Sequence, residues 1–99
     1  MSKVIIKLAP RIVSLEMYSD LDKKQLVAEN IEGYLIMPMI EMSDEGYEAA
    51  ENAFDLTNNP SRQEEREENY GSFRSVSVGD IVEVDGIDFL CSSFGWTEL

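Results

Sequence analysis

Four carboxylates, Asp44, Glu48, Glu51 and Asp55, follow one another at intervals of four, three and four residues. That spacing puts all four on one side of an α-helix, each step rising about 4.5 to 6 Å along the axis. The interval is close to that between successive phosphates of a nucleic-acid strand. Such a stripe can simply stay solvated. It can also imitate a strip of DNA and occupy the basic groove of a protein that normally holds nucleic acid. Like charges four apart on a helix cost only about a few tenths of a kcal/mol, so the pattern alone does not choose between the two.

Four more acids, Glu64, Glu65, Glu67 and Glu68, lie in a short polar stretch that also holds Arg62 and Arg66. Together with Arg74 these are the only bases between residues 41 and 88. Local ion pairing is the default expectation for the three arginines; a patch that recognises phosphate or carboxylate is the sharper one. Glu83 and Asp88 are expected to face each other across a hairpin. Like charges directly opposite destabilise a sheet, so exposure, a nearby Arg74 or a bound cation must offset them, and exposure is the expected answer. Cys91 is the sole cysteine, and the chain has no histidine. An internal disulfide is ruled out, the usual Zn²⁺ ligand sets fail, and a cysteine nucleophile would lack its standard base. Nothing marks a substrate pocket. No catalytic residue, metal or cofactor is expected.

The charge layout points to partners. Twenty acids against eight bases give −12. Residues 1–40 hold five of each, whereas residues 41–88 hold fourteen acids and three bases, a net −11. The second half would repel nucleic acid and an anionic membrane surface. A basic protein would be attracted, and its encounter accelerated. At 99 residues, 43% hydrophobic and 28% charged, the composition is that of one soluble globular domain. The longest apolar run, Tyr34 to Ile40, is broken by Pro38 and is too short to span a membrane. No apolar run of signal-peptide length follows Lys3, so a cytoplasmic location is expected.

The elements that must position these groups can be read in order. Lys3 to Leu8 reads as a first strand. Arg11 to Tyr18 reads as a second, because Val13, Leu15 and Met17 alternate with Ser14, Glu16 and Tyr18. Ser19-Asp20 offers a cap for a short helix over Leu21 to Asn30. Tyr34 to Met42 reads as an edge or bulged strand, since Pro38 cannot donate to a ladder; its methionines 37, 39 and 42 are expected to fill core gaps. Ser43 is the expected cap of the main helix, Asp44 to Leu56, with Tyr47, Ala50 and Phe54 on its inward face. Pro60 then suits a first helical position, and Ser61-Arg62-Gln63-Glu64 reads as a capping box for a second short helix ending near Glu68.

The strongest local signal is Asp85-Gly86 between Asp80–Val84 and Ile87–Cys91. A type I′ turn needs positive φ at both central residues, which this dipeptide supplies. The turn sets Val84 against Ile87, Glu83 against Asp88, Val82 against Phe89 and Ile81 against Leu90. Cys91 is expected to be a buried small hydrophobe.

Three stretches resemble the YodL-like family: Asn58-Asn59-Pro60-Ser61-Arg62, then Arg74-Ser75-Val76-Ser77-Val78-Gly79-Asp80-Ile81-Val82, then Cys91-Ser92-Ser93-Phe94-Gly95-Trp96. These are small modules that recur in phage, plasmid and conjugative-element proteins, alone or within large polyvalent proteins. The resemblance covers residues 43–99. It implies a mobile-element origin, a bacterial host and a helix followed by a small β module. It brings no catalytic residues with it.

The expected fold is therefore α+β: a small, curved, mostly antiparallel sheet, SH3-like or an open barrel. Strands are expected near 3–8, 11–18, 34–42, 76–84 and 87–92, with the 44–56 helix packed across them. Residues 1–42 would supply N-terminal strands and a short helix, and residues 43–99 the main helix and the hairpin. The leading functional expectation is a non-enzymatic phage or mobile-element accessory protein. Its acidic surface would dock on a basic host or defence protein, in an anti-defence (anti-restriction or anti-CRISPR type) or host-takeover role. A second is a structural or oligomer-forming module using Met37, Met39 and the Pro38 edge. A third is a small nucleic-acid-binding barrel that stacks bases on Phe73, Phe94 and Trp96; the missing positive groove counts against it.

Overall fold

In a computed structural model, which describes residues 1–17 and 22–99, the centre of the sheet is β1, Ser2–Leu8. Its alternation is unambiguous: Val4, Ile6 and Leu8 are buried on one face, while Ile5 and Lys7 point to the other. On one side β1 pairs with β4 (Ile81–Val84), which pairs with β5 (Ile87–Ser92), which pairs with β6 (Gly95–Glu98). On its other side β1 carries β2 (Leu35–Ile36) and β3 (Ile40–Met42). All these pairings are antiparallel. The fold is α+β, and the sheet does not close into a barrel.

The hairpin has the expected register, with Val84↔Ile87, Glu83↔Asp88, Val82↔Phe89 and Ile81↔Leu90. Asp85 and Gly86 both take positive φ, 49° and 87°. Asp85 also ties the turn to β1: its carboxylate accepts from the Lys3 N–H at 2.8 Å, and its own N–H donates to the Lys3 carbonyl at 2.9 Å. The strand expected over 76–84 is confined to Ile81–Val84, because Val78-Gly79 forms a turn before it.

The 34–42 edge is bulged, as Pro38 implied. Between the pairs Lys7↔Ile36 and Val4↔Ile40, β1 spends two residues and its partner three. Met37 is buried at that bulge and its N–H donates to the Ile6 carbonyl at 2.9 Å, whereas Met39 is exposed.

The strand expected over residues 11–18 is instead a helix, α1, Arg11–Glu16. Pro10 sits at its N-cap, and the carbonyl of Pro10 accepts from the Val13 N–H at 3.0 Å. Val13 and Met17, four apart, are buried, while Leu15 is 65% exposed. The run fits both periods in sequence, and packing selects the helical one. Gly79 is part of the reason: a Cβ there would meet Met17 Cγ at 3.1 Å and Val13 Cγ1 at 3.4 Å, so α1 sits close on that turn. The next helix, α2, is Lys23–Asn30, starting later than expected, and its cap is Asp22, whose side chain accepts from the N–H groups of Lys24 and Gln25. The Ser19-Asp20 cap lies outside the described residues.

The main helix, α3, is Gly46–Asn58, shifted two residues from expectation, with Glu45 rather than Ser43 at its N-cap. Its buried row is Ala49, Ala50, Ala53, Leu56 and Thr57. Tyr47 is 59% exposed and Phe54 only partly buried. Small alanines let the helix lie close on the sheet, and an inward tyrosine would have held it off. A 3₁₀ turn, Pro60–Arg62, leads into α4, Gln63–Asn69. The 3₁₀ turn is capped by Asn59, as its position after α3 suggests, with its side chain accepting from the Ser61 N–H at 3.0 Å; α4 itself has no side-chain cap, so the expected Ser61–Glu64 capping box does not form.

The sheet is thus covered on both faces. One cluster joins Val4, Ile6, Val82, Val84 and Phe89 to α3; the other joins Ile81 and Leu90 to Val13, Met17, Leu26 and Val27 of the α1–α2 layer. No helix among the described residues is long and apolar enough to cross a membrane.

Candidate protein-binding face

α3 and α4 carry the candidate acids. Because Ala49, Ala50 and Ala53 turn inward, Glu48, Glu51 and Asp55 fall on the opposite, exposed side of α3. Asp44 lies before the helix and accepts from Asn52 Nδ2 at 2.8 Å. It anchors the chain into α3 rather than extending the stripe. Asp55 is paired with Arg62 at 2.9 Å, and the same guanidinium holds Glu65 at 2.7 Å and Asn52 Oδ1 at 2.7 Å. The hydrogen bond to Glu65 raises Arg62 above its ordinary range and, in return, holds Glu65 below the usual carboxylate range. Glu64, Glu67 and Glu68 are exposed on α4, and Glu67 accepts from Gln63 Nε2 at 3.0 Å. Asp44, Glu48, Glu51, Glu64, Glu67 and Glu68 form no salt bridge among the described residues.

The other two arginines of the acidic half serve the scaffold. Arg66 donates to the carbonyls of Thr57, at 2.7 Å, and Phe73, and lies 5.6 Å over the Tyr70 ring. Arg74 grips Asp80, whose side chain is fully buried. Oδ1 and Oδ2 of Asp80 also accept from the N–H groups of Ala9 and Ser77, at 2.7 and 2.8 Å. One carboxylate thereby joins the end of β1, the start of β4 and the loop between α4 and β4. Hydrogen bonding to Asp80 raises Arg74 above its ordinary range. Arg62 and Arg74 thus make ion pairs, whereas Arg66 clamps backbone carbonyls.

The Glu83–Asp88 pair is offset neither by exposure nor by Arg74. Lys7 reaches across from β1, with Nζ 2.9 Å from Glu83 and 3.1 Å from Asp88. Burial works against the Lys7 charge, but the two carboxylates outweigh it and its pKa is raised. Cys91 is buried, as expected. Desolvation first, then the charges of Asp80 and Glu51, push its thiol up to about 11.

The aromatics do not form a common platform. Phe73 packs edge-on against Tyr70, with ring centroids 6.2 Å apart, Phe94 is fully exposed at the β5–β6 turn, and Trp96 packs partly buried against the core. Trp96 stands directly opposite Cys91 in the β5–β6 ladder, on the sheet face that α3 covers. There, Glu51, Phe54, Cys91, Ser92, Gly95 and Trp96 line an open cavity of about 200 Å³. Sequence reasoning missed this pocket, although Glu51 and Phe54 are spaced three apart, as neighbours on one helix flank must be.

No protein-family model, curated protein or solved structure gives a significant match to this chain.

Proposed function

We propose that this chain acts by binding, as a non-enzymatic accessory protein whose α3–α4 face docks on a basic protein of the kind that holds nucleic acid. One observation carries the reading. The three arginines of the acidic half are engaged by Asp55, Glu65, Asp80 and backbone carbonyls, so Glu48, Glu51, Glu64, Glu67 and Glu68 project an uncompensated negative potential. Such a potential steers encounter with a positive patch and weakens with salt. The carboxylate pair that could do acid–base work, Glu83 and Asp88, is clamped by Lys7, which favours binding over catalysis. The resemblance of the RSVSVGDIV and FGW stretches suggests a mobile-element protein in a bacterial host, in an anti-defence or host-takeover role. The test is competition: protein captured at low salt from a bacterial lysate should be displaced by duplex DNA if its basic groove is the docking site. Retention in the presence of excess DNA would count against the mimic.

A second reading, self-association, is favoured by Leu35, Ile36 and Met39, which are exposed along the open β2 edge. It expects a dimer in analytical ultracentrifugation that persists at high salt.

A further inference from the structure

We infer that the cavity between α3 and the β5–β6 hairpin receives one arginine side chain of the basic partner. This deepens the docking reading given above. Two aromatic residues, Phe54 and Trp96, are in the cavity lining, together with Cys91, Ser92, Gly95 and Glu51. Its volume, about 200 Å³, is far more than one water needs. The polar chemistry of the lining is restricted. The Ser92 hydroxyl is occupied, donating to the Gly95 carbonyl at 2.8 Å. Cys91 remains a neutral thiol at physiological pH. The one charged group on the rim is Glu51, exposed and without a salt bridge among the described residues, yet near enough to contribute to the shift of the Cys91 thiol.

Two aromatic side chains and one carboxylate with no salt bridge among the described residues make a cation site. A guanidinium suits it better than an ammonium, because it is planar, weakly hydrated and stacks on aromatic rings while pairing with a carboxylate. An anionic ligand would meet Glu51 and a chain of net charge −12. A purely apolar ligand would make no use of the Glu51 charge at the rim. Arginine enrichment at interface centres fits the same role, with the pocket supplying an anchor and the surrounding acids supplying attraction.

Trp96 is the only tryptophan, so its emission reports on the pocket in the intact chain. The probes are N-acetyl-arginine amide and N-acetyl-citrulline amide, which match in shape and differ in charge. The arginine compound should change Trp96 emission saturably, in the millimolar range typical of a single side chain, and citrulline should not. Glu51→Gln, on an exposed position, should weaken the arginine response about two- to fivefold, as expected for loss of one exposed ion pair. Phe54→Leu should weaken it as well, with thermal unfolding showing that the variant remains folded. Equal responses to arginine and citrulline, no response to either, or an unchanged response in Glu51→Gln would overturn the inference. If arginine is ignored while salt-dependent capture of a basic protein persists, this pocket is overturned and the docking face stands.

Discussion

Arg74 and Asp80 form a two-pronged pair, at 2.6 and 2.7 Å, in which the carboxylate is fully buried and the guanidinium lies toward the surface. The residues are six apart, yet the pair joins segments that are distant in the chain, because Asp80 also takes the Ala9 N–H and Arg74 the Ala9 carbonyl. Removing the guanidinium would leave a buried charge without its counter-ion. Arg74→Ala should therefore lose about 3 kcal/mol in urea unfolding, at the low end for a broken buried pair. Arg74→Lys should recover part of the loss, since it restores charge but not the fork.

Lys7 should behave as a shared clamp. Lys7→Met leaves Glu83 and Asp88 facing each other and should cost about 2 kcal/mol, the scale of hydrogen bonds to charged groups. A second change, Asp88→Asn, should return part of that, and the double-mutant cycle would show non-additivity. The pH dependence has a definite sign. Because the folded-state pKa of Lys7 is raised, its contribution is complete below the ordinary lysine value and is lost as pH rises through the higher folded value. Lys7→Met should lack this alkaline component.

The Cys91 thiol, held up at about 11, should be slow to react with thiol reagents in the native chain and fast after unfolding. Its linkage to stability runs the same way. Unfolding releases a thiol of ordinary pKa, so stability should fall between that value and about pH 11, and Cys91→Ala should remove this component.

The buried row of α3 can be tested by size. Ala53→Leu, at a fully buried position, should overpack the sheet and cost about 1–3 kcal/mol. Tyr47→Ser, on the exposed side, should stay within about 0.5 kcal/mol of the parent.

What was legible in the sequence was local. Asp85-Gly86 dictates its own backbone, and with it four cross-strand pairs, so the hairpin could be read in advance. Pro38 likewise announced its bulge. Arg11 to Met17 could not be read, because Val13, Leu15 and Met17 satisfy a strand period and Val13 with Met17 a helical one; only tertiary packing decides, on Gly79, Ile81, Leu90 and α2. Lys7 was hidden for a different reason: its partner Asp88 is 81 positions away, and no local pattern marks the contact. In α3 the larger side chains misled, since the closeness of helix to sheet is set by Ala49, Ala50 and Ala53. The NNPSR and RSVSVGDIV stretches also make scaffold contacts. Asn58 donates to the Val76 carbonyl at 2.9 Å and Thr57 Oγ1 accepts from the Val76 N–H at 3.0 Å, stitching the end of α3 to the loop that leads into β4.

Uncompensated charge is tested most directly on exposed acids that form no salt bridge among the described residues. Asp44 and Asp55 are unsuitable, since each anchors local structure, and Glu51 belongs to the arginine pocket. The measurement is capture of basic proteins by the parent and by a Glu48→Lys, Glu64→Lys, Glu67→Lys, Glu68→Lys variant across a salt series. The expected result is binding by the parent that falls steeply with added salt, and loss of binding in the variant even at low salt. Equal capture by the two proteins, or capture by the parent that ignores salt, would contradict it.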